Sequence, residues 1–273
     1  MNEKKTIAIL YSGGTDSVCA SAIMAETFEI VHLLTFYRLG FFEINNSDKN
    51  VGRLNSVLSP TVFIHKKINI ERLARHLTHD KFMRDILKYG FFTLSNCLVC
   101  GLINHLGALV YCLNNKITNI ADGSTRDWSF FPSHMEKVIG EIKTMYSRFG
   151  IIYHTPVYDF SPAVPVSFMD KIYNSDNKKA ATNMNTTGEY LHRIGIFDSP
   201  DLKGTAFDHQ MQPRCFQFIL HHIFIFWYFM FRHNYADFER VTLKFTWQKI
   251  SDFSAMIEKN PEKIKKLLGK EIN

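Results

Sequence analysis

Cysteine is scarce in this chain, at five in 273 residues. That is too few for a disulfide framework. No signal-peptide pattern precedes the first apolar run, which begins at Thr6. Reduced thiols in a cytoplasmic setting are therefore expected. Low-complexity segments and internal repeats are also missing. No apolar run reaches the roughly 20 residues needed to cross a bilayer. The most membrane-like stretch, Phe216 to Phe231, is interrupted by His221 and His222. A buried helix or a subunit interface is expected there, with no membrane partner. Finally, the Gly-Lys-Ser/Thr of the common P-loop is absent.

What is present is apolar and mildly basic. Hydrophobic residues make up 46% of the chain, and 24 phenylalanines point to an aromatic-rich core or a flat apolar binding surface. The net charge of +6 and pI near 9.0 permit a nucleic-acid partner without requiring one. Much of the excess lies at Lys259, Lys263, Lys265, Lys266 and Lys270, a pattern usual for a solvated helix face.

The chain is organised around Tyr11-Ser12-Gly13-Gly14-Thr15-Asp16-Ser17. An apolar run, Thr6 to Leu10, precedes it and predicts a buried strand. Small and apolar residues from Val18 to Ala25 follow and predict a packed helix. Two glycines allow a bend that side chains would block. The N–H groups of the bend and of the first helical turn lack intrahelical partners and converge on one place, where the helix dipole favours an anion. Ser12, Thr15 and Ser17 add hydroxyls. This is a candidate phosphate cradle.

Ser12-Gly13-Gly14-Thr15-Asp16-Ser17 resembles the signature of the N-type PP-loop ATP pyrophosphatase superfamily. The resemblance implies a HUP-like ATP-binding sheet, Mg²⁺, transfer of AMP to a substrate oxygen, and release of pyrophosphate. A nitrogen or sulfur nucleophile then displaces AMP. The loop from Tyr11 to Ser17 would grip the pyrophosphate end. In this architecture adenine rests near the end of the second strand, at Thr35 and Phe36.

Strand and helix patterns alternate along the first half. Further strands are expected at Glu29–Phe36, Thr61–His65, Ile117–Ala121 and Ile151–His154. Helices are expected at Asn46–Leu58, Asn69–Leu77, Phe82–Leu87, Leu94–Leu113 and Ser133–Phe149. This order predicts an α/β fold: a parallel five-stranded Rossmann-like sheet covered by helices on both faces. Past Pro156 the alternation stops. The expected division is an ATP-binding domain over 1–160 and a helical part over 161–273 that forms a substrate lid or a dimer contact. Asn174 to Thr187, rich in Asn, is expected to be a loop or lid.

Two further stretches carry chemistry. Gly123, after the fourth strand, permits a close backbone approach, and Asp127 is placed to orient a metal ion or a substrate donor; a glycine turn with a helix cap accounts for the pattern equally well. The run from Gly123 through Asp127-Trp128-Ser129-Phe130-Phe131-Pro132 resembles the matching segment of 7-cyano-7-deazaguanine synthases, as does His154-Thr155-Pro156. The four-cysteine zinc cluster of that family is not reproduced. Arg126 is a candidate for steadying leaving-group charge or for a surface ion pair.

Cys97-Leu98-Val99-Cys100-Gly101 is the other stretch. Two thiols at this spacing bind a metal or form a redox pair. The pattern is similar to the CxxC of tRNA thiolation enzymes of the same superfamily, in which a distant third cysteine completes a 4Fe-4S site. Cys215 is the candidate third ligand. Zinc is the competing occupant, with His209, His105 or His221 as fourth ligand. Cys19 and Cys112 are expected to be packing residues.

The reading is an enzyme that adenylates a carbonyl or carboxylate oxygen and then inserts sulfur into a nucleobase or base-like heterocycle. Cys97, Cys100, Asp127 and Asp16 are the candidate catalytic residues. Cys97, Cys100 and Cys215 are the metal ligands. The expected partners are a sulfur or ammonia donor, tRNA as a larger substrate, and a second copy in a homodimer. The alternatives are C–N ligation with structural cysteines, and a nucleotide-binding subunit without turnover.

Overall fold

The computed structural model describes residues 4–90, 96–126, 132–161, 185–203, 205–231 and 234–259, with backbone alone at 96–98 and 222. Five parallel strands form the central sheet: β1 (Thr6–Leu10), β2 (Ile30–Tyr37), β4 (Val62–Asn69), β5 (Asn119–Asp122) and β6 (Ile152–His154). Their spatial order is β4-β2-β1-β5-β6. The chain runs outward from β1 to one side, then crosses back to place β5 on the other. The order reverses between β1 and β5, where a Rossmann-like sheet opens a crevice at the carboxyl ends of its strands.

Alternation along β1 shows why the run is wholly apolar. Ile7 and Ile9 enter one core, while Ala8 enters the other, and all three are fully buried. On the Ile7 face lies α1 (Thr15–Ala25), where Val18, Cys19, Ala20, Ser21 and Ala22 are buried. Their small side chains let the helix axis lie close to the sheet. Behind it pack α2 (Lys49–Val57) and α7 (Thr187–Arg193). On the Ala8 face lie α5 (Asn96–Asn115) and α6 (Glu136–Arg148), with α3 (Glu71–Thr78) and α4 (Phe82–Tyr89) at the border. Burying side chains such as Ile7, Ile9 and Leu33 contributes about 1.5–3 kcal/mol each.

Residues beyond 160 join both cores. Leu191, Ile196 and Phe197 pack with α1, whereas Ile225 of α9 (Phe216–Met230) and Phe238, Phe245 and Phe253 of α10 (Tyr235–Lys259) pack with α5. The Phe216–Phe231 stretch is thus a helix with one buried face. Its other face is open, with Phe216, Ile219, Leu220, Ile223, Trp227 and Met230 all at least half exposed. No helix among the described residues is long and apolar enough to cross a membrane.

Some boundaries differ from expectation. β4 extends to Asn69 through Lys66 and Lys67. An edge strand tolerates lysines, and the Lys67 ammonium reaches Asp48 at 2.7 Å. The helix expected from Asn46 begins as a 3-10 turn, Ile44–Asp48. Thr187 belongs to α7 rather than to a loop. Thr186 caps that helix by accepting from the Glu189 N–H at 3.1 Å, and the Glu189 carboxylate accepts from the Thr186 N–H at 2.6 Å. Residues 174–184 lie outside the described residues. A small antiparallel pair, β3 (Phe41–Phe42) with β7 (Arg214–Cys215), was not foreseen.

Candidate nucleotide and thiol site

The glycine turn joins β1 to α1 at the carboxyl edge of the sheet, as the sequence predicts. Gly13 has φ +87°, a conformation open to glycine. Ser17 ties the turn together: its Oγ accepts from the Ser12 N–H at 3.3 Å and the Gly13 N–H at 3.1 Å. The same hydroxyl donates to the Gly14 carbonyl at 2.9 Å. The Gly14 N–H donates to Ser12 Oγ at 3.2 Å, and the Gly13 carbonyl accepts from Asn50 Nδ2 at 2.8 Å. The loop is therefore pre-shaped by its own side chains.

Gly123 lies directly against it. A Cβ there would stand 2.7 Å from the Ser17 nitrogen and 2.9 Å from the Asp16 carbonyl carbon. The loops after β1 and β5 thus meet across the switch point. A buried polar group supports the β5 side. Asp122 accepts from the Ser124 N–H at 3.1 Å, from Ser124 Oγ at 2.8 Å and from the Tyr153 hydroxyl at 2.6 Å. His105 Nε2 lies 3.5 Å from Asp122, and its Nδ1 lies 3.2 Å from the Tyr146 hydroxyl. Burial lowers the His105 pKa to about 4 against the opposing pull of Asp122. With both ring nitrogens engaged here, His105 belongs to this network and not to the thiol cluster.

Three residues absent from the sequence reading surround the loop. Thr15 donates to Asp208 Oδ1 through its N–H at 2.8 Å and through its hydroxyl at 2.7 Å. Asp16 accepts from the Thr187 hydroxyl at 2.6 Å and faces the Lys203 ammonium at 3.1 Å. Asp208 is carried by the short helix α8 (Ala206–His209). No local pattern marks these residues, because only the folded chain brings them to the loop.

Thr35 and Phe36 lie at the carboxyl end of β2, which continues to Tyr37 although its pairing with β1 ends at Leu34. Both side chains are buried. Thr35 Oγ1 lies 2.7 Å from the Tyr11 carbonyl and 2.8 Å from His65 Nε2. Phe36 packs into the core, so close to α5 that a Cβ on Gly107 would lie 3.1 Å from its ring. Tyr11 is itself a buried core residue. Asp127 and the aromatic run Trp128 to Phe131 lie outside the described residues. Arg126 forms an ion pair with Asp159, meets Glu136 at 3.5 Å, and stacks over Tyr158 with 4.6 Å to the ring centre.

The unforeseen strand pair brings Cys215 toward Cys100. β3 follows the end of β2, and Phe41 pairs with Cys215. The Phe216 N–H also donates to the Gly40 carbonyl at 3.2 Å. This pairing carries Cys215 to the loop where Arg38 Nε lies 3.5 Å from Cys100 Sγ. Burial raises the Cys215 pKa, and the nearby Cys100 adds to it. The N–H groups of Gln217 and Phe218 and the Arg38 charge act the other way. Cys97 is on the same helix, one turn before Cys100, and its side chain lies outside the described residues. Among the described residues no three His, Cys, Asp or Glu side chains gather as a metal site. Cys19 and Cys112 are fully buried, with thiol pKa values raised by burial, as packing residues should be.

Neither a protein-family model nor a curated protein sequence matches the chain. Among solved structures, it is similar to one described as a predicted subunit of tRNA methyltransferase from Methanocaldococcus jannaschii. The identity is 22%, the alignment covers 57% of this chain and 71% of that one, and the TM-score is 0.36. A likeness of that extent says nothing about substrate or reaction. The topology and the loop geometry stand on their own: this chain has a Rossmann-like α/β fold with a glycine turn at its switch point.

Proposed function

We propose that the protein is an ATP-dependent adenylating enzyme of the PP-loop type, and that its thiols serve sulfur transfer to a nucleobase or base-like heterocycle. The observation that carries the ATP half is the glycine turn. It stands at the switch point, shaped by Ser17, at the start of a helix whose dipole favours phosphate. Ser12, Gly13, Gly14, Thr15 and Ser17 would hold the pyrophosphate end, with Asp16 toward Mg²⁺. Adenine would lie beside β2 beyond Leu34. Because Thr35 and Phe36 point into the core, their backbone would form that contact.

In the chemistry proposed, a substrate oxygen attacks the α-phosphorus and pyrophosphate leaves. A sulfur nucleophile then displaces AMP, which carries the oxygen away. The thiol half rests on Cys215, which is remote in sequence yet within electrostatic reach of Cys100, with Arg38 alongside. This donor set suits a 4Fe-4S cluster or zinc, held by Cys97, Cys100 and Cys215. A small heterocycle or a tRNA base is the substrate class. Asp127 would border the reacting centre.

Anaerobic purification followed by iron, sulfide and zinc analysis tests the thiol half, on wild type and on Cys97→Ala, Cys100→Ala and Cys215→Ala. About four irons and four sulfides per chain, lost in each variant, are expected. About one zinc, lost likewise, would instead favour C–N ligation with structural cysteines. Absence of metal from every sample would remove the three-cysteine site and leave the nucleotide reading alone.

A further inference from the structure

We infer that residues 205–212 form a strap that occupies the phosphate cradle, with the Asp208 carboxylate standing where a phosphate would bind; this rests on the nucleotide reading above. An anion at the start of α1 would use the backbone N–H groups that have no partner inside the helix. Asp208 Oδ1 already takes the Thr15 N–H and the Thr15 hydroxyl, at 2.8 and 2.7 Å. The carboxylate carries negative charge, as a phosphate does, and bonds to donors of the same kind. The two cannot share the place without like-charge repulsion.

The residues after Asp208 lie close over the turn. A Cβ on Gly13 would lie 2.3 Å from the Met211 carbonyl oxygen, and one on Gly14 would lie 2.8 Å from the Gln212 side chain. The strap therefore sits directly on both glycines. Polar contacts with the turn before α2, and with α2 itself, hold it there. Lys49 Nζ donates to the Gln210 carbonyl at 2.9 Å, and Asn46 Nδ2 to the Gln212 carbonyl at 3.4 Å. Its helix α8 spans a single turn, Ala206–His209. Such a piece opens more readily than a core element. Pyrophosphate or nucleotide then binds only the open form, and its apparent affinity falls by the fraction of chains that are open.

Titration of pyrophosphate into the full chain tests this, without and then with Mg²⁺, on wild type, Asp208→Asn and Lys49→Ala. Asp208→Asn removes the competing charge and is expected to tighten binding by about tenfold or more. Lys49→Ala removes the contact between α2 and the Gln210 carbonyl of the strap and is expected to tighten it by a smaller factor. Equal affinity in all three chains overturns the strap and leaves the phosphate site standing. Weaker binding by Asp208→Asn, especially with Mg²⁺, makes Asp208 part of the ligand site and also overturns it. If Asp208→Asn shows no cooperative unfolding transition, Lys49→Ala decides by the same criterion. Failure of every chain to bind overturns both the strap and the nucleotide reading.

Discussion

Gly13 shows what a single residue contributes at this site. At φ +87°, with the Met211 carbonyl in the space a Cβ would take, it is constrained twice over. Gly13→Ala should cost about 1–3 kcal/mol in urea unfolding. An unchanged midpoint would mean that the turn relaxes freely. Lys249 is a second case, nearly inaccessible in α10. Its ammonium donates to the Leu77 carbonyl at 2.6 Å and pairs with Asp85. Burial holds its pKa below the ordinary lysine value, although Asp85 pulls the other way. Lys249→Met would leave the buried Asp85 carboxylate to its longer Arg84 contacts, at 3.3 and 3.4 Å, and should cost about 3 kcal/mol, while the Lys249→Met, Asp85→Leu pair should recover most of that. A double variant no more stable than the single one would contradict this account. The turn at Gly13 and Ser17 is legible in the sequence because its chemistry is local, and Gly123 because a glycine after a strand marks a close backbone approach whatever partner it meets. Asp208, Lys203 and Thr187 are not legible, since nothing in their neighbourhoods records that they meet a loop near the other end of the chain.

At the scale of elements, β5 and its loop depend on the buried group of Asp122, His105, Tyr146 and Tyr153. His105 titrates near pH 4 in the fold and near 6.5 in an unfolded chain. Between those values the unfolded chain takes up a proton that the folded site refuses. Stability should therefore fall as pH drops from about 6.5 to about 4, by up to about 3 kcal/mol from this group. Urea unfolding across that range, compared with His105→Gln, checks this: the variant should lack that part of the slope. Identical slopes would refute it. Alternation and helical spacing were enough to place the five strands and most helices. The apolar pattern of β4 ends at His65 because Lys66 and Lys67 follow, yet an edge strand accommodates lysines. The β3–β7 pair escaped because two-residue strands carry no period. Their pairing is nonetheless what brings Cys215 toward Cys100.

At the scale of the molecule, the open face of α9 sets Phe216, Ile219, Leu220, Ile223, Trp227 and Met230 in solvent. An apolar face of this kind suits a twofold contact, in which the same patch on two copies meets itself. We place the proposed homodimer contact there. Leu220→Asp with Trp227→Asp should convert a dimer to a monomer in sedimentation, whereas a wild-type monomer would contradict this placement. The central claim is the nucleotide site at the switch point of the sheet. Calorimetric titration of MgATP into the full chain tests it most directly, alongside Asp208→Asn. One saturable site per chain is predicted for wild type, and a tighter one for Asp208→Asn. No saturable binding to either wild type or Asp208→Asn would contradict the account.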